Sequence, residues 1–226
     1  MIELDTRVFR ALHQVMSGSL VLAVMAILTV IGSGWSLLAL APLLASPKTR
    51  RFAAALLAVL ATTSFVVVAI KLVVRRMRPF ASLPGIEARV FPAPTDFSFP
   101  SGHAAGSFAC ATFAACLLLR DRARDRRRQG DVPSSAVQSL RSWRVLVAFL
   151  LYMLAAGIAL SRVALGVHFP GDIAVGAVLG TALGGAGAWL YLRQDRFRFD
   201  AISALATPVR SSKPKQAVPV RSSPPP

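Results

Sequence analysis

Four stretches of this chain, Phe52 to Val74, Ser101 to Leu119, Val145 to Leu165 and Ile173 to Leu192, are apolar almost throughout. A bilayer core of ~30 Å is crossed by about 20 mostly apolar residues in a helix, and inside hydrocarbon only helices and closed barrels satisfy every backbone group. Runs of this length predict an all-α chain that crosses a membrane repeatedly. An earlier run, Ser17 to Ala45, is too long for one untilted pass and is interrupted by GSGW at Gly32 to Trp35. It predicts two further helices, the first extended backward into the amphipathic DTRVFRALHQVM. The expectation is a helical bundle of six transmembrane helices within residues 1–193.

The chain is also strongly basic, with a formal charge of +16 although 54% of its residues are hydrophobic. The segment RDRARDRRRQGDVPSSAVQSLRSWR, between the fourth and fifth apolar helices, carries eight arginines against three aspartates. SPKTRR, between the second and third, and the tail after Leu192 are basic as well. Lys and Arg concentrate in cytoplasmic loops, so these three stretches are placed on the cytoplasmic side. Six passes put both termini there. The Arg-rich segment reads as a topology anchor and a contact for anionic lipid. No aromatic platform accompanies it, and no nucleic-acid partner is expected.

Residues 194–226 end in TPVRSSKPKQAVPVRSSPPP, a composition that cannot bury a core, and are expected to be a disordered cytoplasmic tail. The start, MIELDTRVFR, mixes acidic and basic residues and lacks a small-residue cleavage site after a short apolar stretch, so the first helix is expected to be retained. Cys110 and Cys116 lie on one helix about 9 Å apart along its axis, beyond disulfide reach.

Ionisable side chains beside membrane helices are costly, so their positions carry information. Lys71, Arg75, Arg76 and Arg78 follow the third helix, His103 opens the fourth, Arg162 closes the fifth, and His168 and Asp172 precede the sixth. In the six-helix arrangement all of these ends face away from the Arg-rich segment. Cations gathered at a helix N-terminus make a site for a strongly negative group. PSGH suits that purpose: Ser101 can cap the helix, Gly102 lets backbone N–H groups approach closely, and the exposed N–H groups favour phosphate. In SRVALGVHFPGD, Pro170 and Gly171 argue for a turn, with Asp172 at the start of the sixth helix. A carboxylate near a neutral imidazole holds one ring nitrogen as N–H and leaves the other lone pair free for attack. His168 is then a candidate nucleophile and Asp172 its orienter. Taken singly, Ser101 and Asp172 read equally well as helix caps, and Lys71, Arg78 and Arg162 as interfacial or loop charges.

KLVVRRMRP (Lys71 to Pro79), PSGH (Pro100 to His103) and SRVALGVHFPGD (Ser161 to Asp172) resemble, in order and internal spacing, the three signature motifs of the type 2 phosphatidic acid phosphatase (PAP2) superfamily. The resemblance implies a PAP2/haloperoxidase-like helical bundle and a metal-independent phosphatase that works through a phosphohistidine. On this chain it implies that His168 attacks phosphorus with Asp172 bonded to it, and that His103 protonates the leaving oxygen. Lys71, Arg78, Ser101, Gly102 and Arg162 would hold the phosphoryl oxygens. Arg75 and Arg76 stand outside the motifs and read as attractors of acidic headgroups. No cofactor and no metal ligand set is expected. Phosphoryl transfer asks chiefly for positioning and charge stabilisation, which these donors supply. Because His168 must be neutral while His103 is protonated, a bell-shaped pH profile is expected.

A site at the membrane edge favours a lipid phosphate, with membrane lipids around it. The envelope lipids undecaprenyl pyrophosphate, phosphatidylglycerophosphate, phosphatidic acid and lipid A phosphate are the candidates, the first ranked highest. The motifs fit equally a phosphotransferase that passes the phosphoryl group to another lipid. A non-enzymatic anion or lipid transporter is the alternative from another class, and intact His103, His168 and Asp172 argue against it. The expected location is a bacterial inner membrane with the active site facing the exterior.

Overall fold

The computed structural model describes residues 2–34, 38, 40–90, 92–120 and 134–206, with the backbone alone at residues 2, 134–141 and 195–206. Among the described residues there are eight helices and no strand: α1 (Ile2–Val15), α2 (Ser19–Ile31), α3 (Ala41–Ala45), α4 (Arg50–Val74), α5 (Pro79–Ser82), α6 (Gly102–Leu119), α7 (Ser134–Ala164) and α8 (Pro170–Ala206). The chain divides into two units, Met1–Leu192 and Arg193–Pro226, and everything that bears on the site lies in the first.

Four helical segments among the described residues are long and apolar enough to cross a membrane: Arg50–Ser82, Gly102–Leu119, Ser142–Ala164 and Pro170–Gln194. They coincide with the four apolar runs. A sixth span is not confirmed among the described residues, where the stretch before residue 50 folds differently from the expectation. DTRVFRALHQVM is not a backward extension of the next helix. It forms α1, and α1 and α2 meet at an angle of 114° across Ser17 and Gly18, so the pair supplies at most a fifth span. The physical reason lies in α1, where Asp5, Arg7, Arg10 and His13 are spaced along a helix that has one protein-facing side and no all-round apolar surface. Between Ile31 and Arg50 the short α3 is the one α-helix among the described residues.

Phe9 of α1 is fully buried with Val163 and Phe169, and the Phe9 and Phe169 ring centroids lie 5.5 Å apart. This contact places α1 at the end of the bundle where α7 finishes and α8 begins. The expectation that the amino terminus lies at the end opposite the ionisable cluster is thereby corrected. At the other end of the sequence, α8 continues to Ala206, so residues 194–206 are helical and not the start of a disordered tail. No proline or glycine interrupts that stretch before Pro208. Residues 207–226, and residues 121–133 of the Arg-rich segment, lie outside the described residues.

The spanning helices meet through small residues, as expected where lipid removes any hydrophobic drive between helices and close backbone approach takes its place. Gly176, Gly180 and Gly184 form a row along α8. A Cβ at Gly176 would come within 2.6 Å of the Ser101 carbonyl oxygen, and at the other two it would overlap the Ala105 and Ala109 carbonyls of α6. Farther along, Leu56 and Val59 of α4, Ala109 and Phe113 of α6 and Ala188 of α8 close the core. The α6–α8 contact brings the PSGH segment alongside Asp172, and the Ser101 N–H donates to the Asp172 carbonyl at 3.0 Å.

Candidate active site

Two left-handed residues turn the chain ends toward one another. Gly166, with φ +75°, ends α7 and lets the N–H groups of Val167 and His168 both return to the Arg162 carbonyl at 3.1 Å. His168 is thereby fastened to the turn that carries Arg162. Arg75, with φ +52°, ends α4, and its N–H bonds the Lys71 carbonyl at 3.0 Å. The chain then reverses, so Arg76 and Arg78 point back over the helix end that bears Lys71.

The groups converge on a cavity of about 620 Å³. Lys71, Arg78, Gly102, His103, Arg162 and His168 all line it. Ser101 does not. It is fully buried, and its hydroxyl accepts the Ala104 N–H at 3.5 Å as the cap of α6. Asp172 also lies behind the wall, fully buried against His168.

The imidazole of His168 is held at both nitrogens. Arg78 Nη1 lies 3.2 Å from Nε2, and since a guanidinium only donates, Nε2 is the acceptor and Nδ1 carries the proton. Nδ1 stands 3.5 Å from Asp172 Oδ2 and 3.3 Å from Ser98 Oγ. Asp172 Oδ2 also accepts the Ser98 hydroxyl and the Phe169 N–H, the latter at 2.8 Å. Burial pushes the His168 pKa down to about 4, against the opposing pull of the Asp172 hydrogen bond and with the Arg78 and Arg162 charges adding to the fall. The ring is neutral, with the Nε2 lone pair accepting from Arg78 beside the cavity, and an unprotonated Nε2 is the form a nucleophile requires.

The cations are unevenly satisfied. Arg78 Nη1 also donates to the Val167 carbonyl at 2.8 Å, Nε to the Asp96 carbonyl at 2.8 Å, and Nη2 to Asp96 Oδ1 at 2.6 Å. Lys71 Nζ donates to Asp96 Oδ2 at 2.7 Å and to the Phe97 carbonyl. Arg162 Nη1 donates to the Thr29 hydroxyl of α2, whereas its Nε is the one buried side-chain polar atom among the described residues with no partner. A buried donor without an acceptor is costly, and it belongs to a residue that lines the cavity together with Lys71 and Arg78. The arrangement suits a group that brings acceptor oxygens to Lys71, Arg78 and Arg162. Asp96, its carboxyl drawn down to about 2 because the Lys71 hydrogen bond and the Arg78 and Lys71 charges outweigh the effect of burial, already supplies two.

Reading the sequence alone missed Asp96, Ser98, Thr29, Asp5 and the inward role of Arg76. Arg76 Nη1 donates to Asp172 Oδ1 at 2.8 Å and Nη2 to Asp5 Oδ2 at 2.6 Å. Only Arg76 carried a usable signal, by its place between Lys71 and Arg78. Among the described residues no three His, Cys, Asp or Glu side chains gather as a metal would need. Cys110, which also lines the cavity, and Cys116 are free thiols.

Against known proteins, the sequence model described as PAP2 superfamily matches residues 52–198. A decaprenylphosphoryl-5-phosphoribose phosphatase of Mycobacterium tuberculosis is 35% identical over 151 residues, 67% of this chain and 68% of that protein. A lipid A 4'-phosphatase of Bacteroides thetaiotaomicron is 34% identical over 95 residues, 42% of this chain and 30% of its own. Among solved structures, LpxE of Aquifex aeolicus superimposes with a TM-score of 0.60 at 23% identity, covering 81% of this chain and 94% of its own. A transmembrane phosphatidylglycerolphosphate phosphatase from Bacillus subtilis gives 0.59 at 21% identity, covering 91% and 89%.

Proposed function

Since the chain belongs to the PAP2 superfamily and is an integral membrane phosphatase, we propose that it removes the terminal phosphate of an isoprenoid-linked envelope lipid, through a phosphohistidine and without a metal, at the extracytoplasmic face of a bacterial inner membrane. The observation that carries this reading is the meeting on one cavity of His168, held neutral with its Nε2 lone pair toward Arg78, with Arg78, Lys71 and Arg162, whose Nε has no partner.

In the first step Nε2 of His168 forms a bond to phosphorus while the bond to the leaving oxygen breaks and His103 gives that oxygen a proton. Lys71, Arg78, Arg162 and the N–H of Gly102 hold the three equatorial oxygens, and forked guanidiniums suit that geometry. Ser101 serves by capping α6, which keeps the following N–H groups turned to the phosphate. Asp172 accepts the Nδ1 proton's hydrogen bond throughout and steadies the charge that the phosphorylated ring acquires. In the second step His103 takes a proton from water as the water attacks phosphorus and the P–N bond breaks. One acid/base group thus serves both halves.

The wall of the cavity beyond the cations is apolar, with Leu56, Leu60, Val67, Leu151 and Ile158 among its residues, which supports a substrate whose phosphate carries a hydrocarbon tail. The relatives at 35% identity act on decaprenylphosphoryl-5-phosphoribose, and undecaprenyl pyrophosphate offers a like chain with a diphosphate end. Both therefore stand ahead of phosphatidylglycerophosphate, phosphatidic acid and lipid A phosphate. The basic segment before α7 and the basic tail support a cytoplasmic placement for the ends of the helices away from the site, the carboxyl terminus with them.

Phosphate release by the purified protein in detergent with EDTA, measured on these five lipids beside His168→Ala, tests the reading. Turnover of an isoprenoid lipid in EDTA that His168→Ala abolishes is the expected result. Turnover only with added metal, or undiminished in the variant, would overturn it.

A further inference from the structure

Arg76 makes two charged contacts that the phosphate site does not require. Its Nη1 donates to Asp172 Oδ1 at 2.8 Å and its Nη2 to Asp5 Oδ2 at 2.6 Å, while its guanidinium lies 4.0 Å above the centre of the Phe169 ring. Asp5 in turn accepts the Gly171 N–H at 2.8 Å. Phe169 and Gly171 flank Pro170, which opens the first turn of α8 between His168 and Asp172 where the sequence suggests a non-helical turn. A Cβ on Gly171 would come within 2.9 Å of the Asp5 carboxylate, so α1 is seated tightly on that turn.

We propose that Arg76 is a positioning residue for the phosphoryl transfer, and that through Asp5 it makes α1 the outer brace of the His168–Asp172 pair. The proposal rests on the phosphohistidine reading above. Asp172 is fully buried, and a buried carboxylate stays in place only if it is paired and fully hydrogen-bonded. Oδ2 is occupied by Ser98, the Phe169 N–H and the nearby His168 ring. Oδ1 takes Arg76, the cation in direct contact with it. With both oxygens pinned, the carboxylate cannot rotate away from Nδ1, and its charge is balanced before the reaction begins. The main chain adds to this, because the Ser98 N–H donates to the Arg76 carbonyl at 2.8 Å. One residue therefore holds Ser98 by its backbone and Asp172 by its side chain, and those are two of the groups around Nδ1. None of this touches the phosphate, and Arg76 does not line the cavity.

A positioning residue affects the chemical step and leaves ground-state binding alone. With the lipid turned over by the wild-type protein, Arg76→Ala should lower kcat by about 100-fold while KM, and the Ki for inorganic phosphate, stay within about threefold. Arg76→Lys, which can serve one carboxylate at a time, should recover part of kcat. Asp5→Asn should lower kcat by about 10-fold alone and have no further effect in the Arg76→Ala background, since contacts in one network are non-additive. Full kcat in Arg76→Ala would overturn the proposal. So would a rise in the phosphate Ki in step with the loss of kcat, which marks a collapsed pocket, or independent multiplication of the two effects. Wild-type protein without turnover, or an active His168→Ala, would instead remove the parent reading, and those controls keep the two failures apart.

Discussion

The Asp96 carboxylate lies 2.7 Å from the Lys71 ammonium and 2.6 Å from Arg78 Nη2, so one side chain of the loop before α6 is bonded to two of the cations proposed to hold phosphate. On that proposal a substrate displaces it. Asp96 is more than half exposed, so each ion pair is modest. Asp96→Asn should therefore lower KM about 3- to 10-fold with kcat little changed. Steady-state kinetics on the preferred lipid checks this. A rise in KM would mean that Asp96 orders the cations and does not compete for them.

The arginine with the idle Nε gives a sharper test. Lysine in its place keeps a charge but loses the fork, and Arg162→Lys should cost about 100-fold in kcat/KM, the usual scale for one lost donor to a developing anion. The Ki of inorganic phosphate should rise with it. That rise separates Arg162 from Arg76, for which no change is expected.

The pH dependence follows from His168. Its folded pKa is depressed to about 4, whereas the unfolded imidazole titrates near 6.5. The neutral form attacks, so the acid limb of kcat/KM should fall near pH 4 and not near 6.5. Stability has the matching sign. Between those two values the unfolded chain binds a proton that the folded chain refuses, so stability rises with pH across that window and is lost as pH falls from about 6.5 to about 4. Thermal midpoints in detergent from pH 4 to 7.5 measure this, and a flat curve would show that His168 is not held neutral. Asp96, lowered to about 2, contributes with the same sign in a lower window: its stabilisation is complete above the ordinary carboxylate range and disappears as pH falls through about 2.

Packing of the glycine row can be tested without touching the chemistry. Gly180→Ala places a Cβ against the Ala105 carbonyl, while Gly185→Ala meets nothing nearer than the Thr112 methyl at 3.9 Å. The first should destabilise by about 1–3 kcal/mol, the usual scale for overpacking. The second should be neutral or stabilising by up to about 1 kcal/mol, because alanine is the better helix former. Thermal inactivation in detergent compares them.

Placement of α1 gives a topological prediction. In a chain with Cys110 and Cys116 replaced, an impermeant thiol reagent added outside intact cells should label Glu3→Cys, an exposed position of α1. Labelling only after lysis would restore the amino terminus to the cytoplasm.

Much of the site was legible because charge is conspicuous in an apolar chain. Lys71, Arg78, His103, Arg162, His168 and Asp172 stood out as expensive residues at helix ends, and four of the spans followed from length alone. Asp96, Ser98 and Thr29 were not legible, since an aspartate or serine in a loop, or a threonine in a helix, carries no sign of what it faces. Arg76 was misread as a headgroup contact because its partners, Asp5 and Asp172, are 71 and 96 positions away. The first predicted helix is bent where the sequence suggests one continuous run, for a related reason. Apolar content counts how much of a segment lipid will accept, but the bend between α1 and α2 depends on Phe9 finding Val163 and Phe169.

The glycine row has a practical consequence for redesign. Gly176 sets the spacing between the Ser101 carbonyl and the helix that begins beside Asp172, so the alignment of the two motifs is indexed by main chain against main chain, with no side chain in between. Substrate preference can then be re-engineered at Leu151, Leu154 or Ile158, which line the cavity from α7, as one changes the jaws of a vice without moving its screw.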